Sequence, residues 1–293
     1  MIVLVVTTFI AAFVTGGLGY GFSSITVPIA LMIVNNRVLN PALVIVELGS
    51  NLYTVTANRR SLRDVWRVAV PILFGLAPAI MVGAYLLRIV DPAAVKLGTY
   101  MVLAPLVILR SLGFKRHVKM ANVVGGIFGF AIGLLYSLTT ISGPPLAVAL
   151  NNQGYNREQL KALVGMIRTI ESVCSVLAYW YLGLFNFESV ALLKWILPGV
   201  IIGMPLGHFA LGKLELETFR RLAITLDAWL VSLGLFKALT LAQVAPVSFV
   251  AAGCLIIPLF DALKLRQFFV AKWAQAPIAI TRTEEDASSA KSA

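Results

Sequence analysis

Charge is what this sequence has least of. Charged residues make up 13% of its 293 positions and only thirteen are acidic, where soluble domains carry about one quarter. So few charges cannot cover a globular surface, and a soluble fold is excluded. Histidine and cysteine number two each. His117 falls in a basic loop and His208 stands alone near the end of an apolar run. With no HExxH spacing and no nucleophile beside a base, neither hydrolytic nor metal chemistry is expected, and no cofactor is implied. Cys174 and Cys254 each sit inside apolar stretches without CxxC spacing, which leaves them as packing residues. The opening MIVLVVTTFIAAFVTGG lacks a basic n-region and a small-residue cleavage site, so no removable signal peptide is expected.

Apolar residues fill the gap. They make up 59% of the chain, mean hydropathy is +0.89, and apolar stretches of 17 to 25 residues recur from end to end, the length needed to cross a hydrocarbon layer about 30 Å thick. The protein is therefore a polytopic helical membrane protein. Its net charge of +11 would suggest nucleic acid in a soluble chain. In a membrane protein it reflects Lys and Arg gathered in cytoplasmic loops, and no nucleic-acid partner is expected. Only the tail, residues 273–293, is polar enough to predict disorder.

Displaced by 116 positions, the sequence repeats itself. GLGYGFSSITVP (17–28) lies over GLLYSLTTISGP (133–144), with five identities and three Ser/Thr exchanges in twelve positions. Asn35 and Asn36 fall on Asn151 and Asn152, and Asn40 on Asn156. After an eight-residue insertion Glu47 aligns with Glu171, Gly75 with Gly199 and Gly83 with Gly207. Composition bias scatters Leu and Gly matches but does not align Tyr, hydroxyls, Pro and paired Asn together. The chain thus divides into a first repeat (1–118), a second repeat (119–240), an extra C-terminal span (241–272) and the tail.

Each repeat opens with an apolar run broken at its centre by glycines and hydroxyls, at 2–34 and 120–150. Three plainer spans follow each: 40–57, 65–87 and 92–110, then 157–183, 189–210 and 216–238. A last span, 245–263, has no counterpart. If each broken run enters and returns as a hairpin, eighteen of the 24 basic residues, Arg110 and Arg221 among them, lie on one side, five on the other, and Arg168 is buried. Broken helices that cross would scatter them. The hairpin arrangement gives the two repeats opposite orientations, an inverted repeat of the kind transporters use to alternate access to a midplane site. It places the C-terminus in the cytoplasm of a bacterial inner membrane.

Hairpin tips at membrane depth must be buried or line a wet cavity. Gly16, Gly17, Gly19 and Gly21 let the first tip turn, while Ser23, Ser24, Thr139, Thr140 and Ser142 are candidate N-caps for the returning arms, with Pro144 suited to a first helical position. Helix N-termini aimed at the membrane centre favour an anion. The structural reading is that these small residues only permit close helix packing. It is weaker for hydroxyls that recur in both repeats.

Four charges fall within spans. Arg168 costs about 2.5 to 3.5 kcal/mol to insert unless compensated. Glu171, three residues on, is its nearest expected partner, and Arg168 could then offer a fork of donors to an oxyanion. Glu47 has no basic neighbour on its own helix, so it is neutral, paired across helices, or a proton carrier. Asn51 lies one turn below Glu47 and either lines the same cavity or links helices. Asp227 lacks a repeat partner and ranks below both glutamates. The candidate substrate site is Tyr20, Ser23, Ser24, Asn51, Tyr136, Thr139, Thr140, Ser142 and Arg168, with Glu47 and Glu171 as coupling groups.

The run Gly-Tyr-Gly-Phe-Ser-Ser-Ile-Thr-Val-Pro at 19–28, the run Ser-Gly-Pro-Pro-Leu at 142–146, and Met-Ile-Arg-Thr at 166–169 together resemble the TauE/SafE sulfite exporter family, also grouped as 4-toluene sulfonate uptake permeases. The resemblance covers about residues 5–238. It implies proton-linked transport of small sulfur-containing anions such as sulfite or organosulfonates, with Arg168 matching an arginine that follows the family's Gly-Gly-Pro-Pro motif. Phe22, Ser23, Tyr136, Ser137, Thr140 and Ser142 stand where family members tend to have glycine, which implies a more hydrogen-bonding pocket. An anion channel and a transporter of small carboxylates are the alternatives. A small anion, protons and the lipid bilayer are the expected partners, and a homodimer is compatible with this reading.

Overall fold

The computed structural model describes residues 2–112, 122–150, 154–211, 216–243 and 246–289, and among them every regular element is a helix. The segment expected as the first repeat comprises α1 (Ile2–Leu18), α2 (Phe22–Ala30), α3 (Asn36–Ala57), a 3-10 turn (Arg59–Ser61), α4 (Leu62–Ile89) and α5 (Pro92–Ser111). The second comprises α6 (Asn122–Thr139), α7 (Gly143–Leu150), α8 (Arg157–Tyr181), α9 (Phe187–Leu211) and α10 (Leu216–Leu241), followed by α11 (Val247–Ser289). Among the described residues seven helices are long and apolar enough to cross a membrane. They are α3, α4, α5, α8, α9, α10 and α11, the seven plainer spans expected. Helical backbone in α11 continues through the polar tail to Ser289. A helix of that kind is a local conformation and does not by itself make a packed domain. His117, Asn151, Asn152 and the expected boundary at 118/119 lie outside the described residues.

Polar caps set several helix starts. The Asn35 side chain accepts from Val38 N at the head of α3, Asp91 accepts from Ala93 N and Ala94 N ahead of Pro92, and Asn156 forms a capping box with Gln159. Asn35 and Asn156 thus both start the helix that follows a hairpin. Arg37 donates to the carbonyls of Leu87, Arg88 and Val90 at 2.6–2.9 Å and satisfies the end of α4.

Contacts between residues fix helix direction. In α3 and α8, Asn40 lies by Tyr179, Asn51 bonds the Arg168 carbonyl and Thr54 abuts Gly165, so the two run antiparallel. In α5 and α10, Tyr100 faces Gly234 and Arg110 faces Asp227, again antiparallel. Along α1 and α9, by contrast, Phe9 meets Gly203 and Phe13 meets Gly207, a parallel pair. Ile72 meets Gly129 and Leu76 meets Gly133 in the parallel pair α4 and α6. Because α1 and α3 then point the same way, α2 must carry the chain back, and α7 does the same between α6 and α8. Both interrupted runs are hairpins.

The breaks differ in chemistry. The first has Gly19 at φ 81° and Gly21 at φ 112°, conformations natural to glycine alone. The second has Thr140 at φ 57°. Gly21, without a side-chain bond, occupies the N-cap of α2, so Ser23 and Ser24 are inside its first turn and are not caps. The break also falls five residues later in the second motif than the 116-residue register places it. Thr139 and Thr140 therefore end the entering arm, whereas Ser23 and Ser24 begin the returning one.

Close packing between repeats rests on glycines four apart: Gly125, Gly129 and Gly133 on α6, and Gly199, Gly203 and Gly207 on α9. A Cβ at Gly129 would collide with the Ile72 carbonyl, and one at Gly207 with the Phe13 carbonyl. Both obstacles are backbone and cannot swing aside. We expect Gly129→Val and Gly207→Val each to lower stability by about 1–3 kcal/mol, the scale of overpacking. Gly98→Ala, whose Cβ meets nothing within 4 Å, should melt at or above the wild-type temperature in detergent. Unchanged melting of either valine variant would refute this packing.

Candidate functional site

The centres of α3 and α8 carry the charges. Glu47 and Arg168, 1% and 2% exposed, form an ion pair with Arg168 Nη2 2.6 Å from Glu47 Oε1. The expectation that Glu171 is the arginine's partner is corrected here. A side chain three residues away on the same helix is near, but Glu47 on the antiparallel helix faces the guanidinium directly. Ser23 donates to Glu47 Oε1, and Tyr136 OH donates to Oε2 at 2.8 Å. Both carboxylate oxygens are thus engaged, one of them by each hairpin.

Glu171, fully buried, accepts instead from Ser142 Oγ at 2.5 Å. The two aligned glutamates therefore each take a hydroxyl from the hairpin of their own repeat. Ser172, unremarked in the sequence, joins the cluster. Its Oγ donates to the Arg168 carbonyl at 2.9 Å, lies 2.9 Å from Tyr136 OH and accepts from Asn51 Nδ2 at 3.1 Å. Asn51 also reaches the Arg168 carbonyl at 3.3 Å, so in this conformation it links helices. Hydroxyls four residues from a central arginine were the signal for Ser172, one shared by many ordinary helix-bonding serines.

The two tips meet here. A Cβ on Gly143 would stand 3.1 Å from Tyr20 Cβ and 3.5 Å from Arg168 Nη1. Tyr20 is half-buried at the first break, while its aligned partner Tyr136 is fully buried within α6. Thr139 Oγ1 donates to the Leu135 carbonyl and Thr140 Oγ1 to that of Thr139. Those hydroxyls serve the backbone rather than the centre. Ser24 Oγ donates to Gly21 O at 3.0 Å on the side of α2 that faces α10.

Donors at the two helix starts are unequal. The N–H groups of Phe22, Ser23 and Ser24 have no acceptor within α2. In α7, Pro144 and Pro145 remove two of the corresponding donors, and Pro144 sits at the second helical position. The helix-start donors are thereby concentrated on the first hairpin.

Beyond the centre, two of the basic residues assigned to loops are helical and buried. Arg110 pairs with Asp227 and Arg221 with Asp261. Their positions at span ends conceal this in the sequence. With them removed the basic count on that side becomes sixteen, still against five.

These features define a polytopic membrane protein with a charged, hydroxyl-rich centre built by two hairpins. The chain belongs to the sulfite exporter TauE/SafE family, whose model matches residues 4–235, and it is a membrane transporter of the sulfite-exporter type. No curated protein and no solved structure matches it.

Separating a buried pair strands a charge at about 3–5 kcal/mol, whereas replacing both partners by apolar groups is often neutral. Arg168→Leu and Glu47→Leu should each melt well below wild type, and the double variant above either single one. A double variant no more stable than the worse single would show that the pair contributes nothing to folding.

Proposed function

We propose that the protein is a proton-linked secondary transporter that exports small sulfur-containing anions by alternating access around the Arg168 centre. The observation that carries this is the charge balance there: one guanidinium faces two buried carboxylates, Glu47 and Glu171. Glu47 holds only Nη2 of Arg168 and Nε is unpartnered, so an anion that takes the whole guanidinium fork competes with Glu47. In a dry interior a released carboxylate is costly, so Glu47 takes up a proton as the anion arrives. Anion and proton then enter and leave the centre together, with Ser23, Tyr136 and the α2 N–H groups as further donors to the anion.

The antiparallel packing of the equivalent helices α3 with α8, and α5 with α10, supports two inverted repeats that rock about the centre. The basic-loop count supports a cytoplasmic C-terminus, and a bacterial inner membrane is the membrane we assign to the protein. A channel of the same shape would carry anions without proton coupling, and a carboxylate substrate would use the same donors.

Ligand-dependent melting distinguishes the substrates, since a ligand selective for the folded state stabilises by mass action. Sulfite, thiosulfate or an organosulfonate such as sulfoacetate should raise the melting temperature selectively over sulfate and oxalate, and Arg168→Leu should lose the effect. Glu47→Gln should flatten the pH dependence of flux in proteoliposomes. Stabilisation by oxalate alone would move the substrate to carboxylates, and no response to any anion would sink the centre as a binding site.

A further inference from the structure

Two Asp–Arg pairs lie together where α5, α10 and α11 pack, and they differ in one respect. Asp261 is saturated. Its Oδ1 accepts from Ser111 and from Arg221 Nη2 at 2.9 Å, and its Oδ2 accepts from Thr225 Oγ1 at 2.6 Å. The Arg221 guanidinium also donates to the Ser111 and Asp261 carbonyls at 3.2 and 3.1 Å. That pair is a structural clamp. Asp227 receives Arg110 on Oδ2, while its Oδ1, fully buried, has no hydrogen-bond partner.

Beside Asp227 lies a cavity of about 10 Å³ lined by Ser24, Arg110, Ile141, Pro144 and Val231 among others, the room of about one water molecule. Ser24 comes from the first hairpin, and Ile141 and Pro144 from the second. Ser24 and Asp227 line this cavity together, with the Ser24 hydroxyl donating to Gly21 O. Its neighbour Ser23 donates to Glu47. Of two successive hydroxyls in the first turn of α2, one thus bonds a carboxylate and the other borders the cavity beside a second.

We infer that the Asp227 carboxylate, with Arg110 and the adjoining water-sized cavity, is a proton-binding site that couples protonation to movement of the first hairpin. A proton arriving through the cavity adds to Oδ1, the carboxylate becomes a carboxylic acid, and the charged hold of Oδ2 on Arg110 weakens to that of a neutral carbonyl oxygen. The new O–H opens onto the cavity that Ser24 borders, so protonation loosens the tie to α5 and offers one to the hairpin tip. Loss of the proton reverses both. The charged groups facing Asp227 are Arg110 from α5 and Asp261 from α11. Arg221, on its own helix, is held by Asp261 and leaves Arg110 as the counter-ion. As a coupling device this inference rests on the transporter reading above, with Asp227 acting beside Glu47. As a proton site it stands on the geometry alone.

The test uses the full chain reconstituted in liposomes. Infrared difference spectra between acidic and alkaline buffer should contain a carboxylic-acid band that is absent from Asp227→Asn and restored, at a shifted frequency, in Asp227→Glu. In parallel, thiosulfate, which binds no proton near neutral pH, is used to drive proton movement read by an entrapped pH dye. Asp227→Asn should lower the protons moved per thiosulfate at least tenfold and flatten the pH profile of flux, with Asp227→Glu recovering both. A purely structural Asp227 would lower folded yield and both fluxes in proportion, leaving the ratio and profile unchanged, and that result overturns the proposal. So does an Asp227→Asn spectrum superimposable on wild type. If the wild type moves none of the sulfur anions, the transporter reading fails, while the infrared band still decides whether Asp227 binds a proton.

Discussion

The ion pair between Arg168 and Glu47 is the constraint around which the rest of this structure is arranged. An arginine half-way along an apolar helix cannot be solvated, so the fold must bring a carboxylate to it at the same depth. The antiparallel packing of α3 on α8 does this. Once Glu47 is committed to Arg168, its oxygens need further donors, and Ser23 and Tyr136 supply them from two different hairpins. The positions of both tips therefore follow from the need to satisfy one buried charge. A pair held this way leaves Arg168 Nε without a partner, while the surrounding hydroxyls are spent on Glu47 and on the Arg168 carbonyl.

Intimate packing between the repeats makes that precision affordable. The first helix of each repeat does not lie in its own half. Instead α1 runs along α9 and α6 along α4, each through close glycine contacts. Backbone meets backbone at these crossings, which fixes depth more tightly than interdigitating long side chains could. Asn36 and Asn40 extend the exchange, both donating to the Leu138 carbonyl just before the second tip, at 3.1 and 2.7 Å. Each of the two core clusters draws residues from both halves of the chain, so neither half has a complete core alone.

Much of this was legible in the sequence. The seven long spans, the breaks in the two interrupted runs and the burial of Glu47, Arg168 and Glu171 within spans follow from hydropathy, the repeat and the cost of intramembrane charge. What the sequence concealed was pairing across helices. A partner three residues along the same helix, as Glu171 is to Arg168, is visible in a string, whereas Glu47 on another helix is not. Arg110 and Arg221 sit at span ends, where a basic residue usually faces water, and only the fold reveals the aspartates opposite them. The hydroxyls misled differently. Ser23 and Thr139 align as letters, yet the five-residue displacement of the break sends one to a carboxylate and the other to its own backbone.

That displacement has a physical consequence for how the two halves divide their work. Glycines at the first break leave three helix-start N–H groups unclaimed and place Ser23 and Ser24 inside the returning turn, one facing each side. Prolines at the second break remove the matching donors, and Ser142 is taken by Glu171. The first hairpin therefore carries the open helix-start donors, bonds Glu47 and borders the cavity beside the Arg110–Asp227 pair. The second is braced against α8 and contributes chiefly its backbone and the buried Tyr136. A symmetric duplication would present equal tips to both sides of the membrane. Here the first tip lies between two carboxylates, Glu47 and Asp227, each balanced by its own arginine, so its position is set by two charge pairs at once.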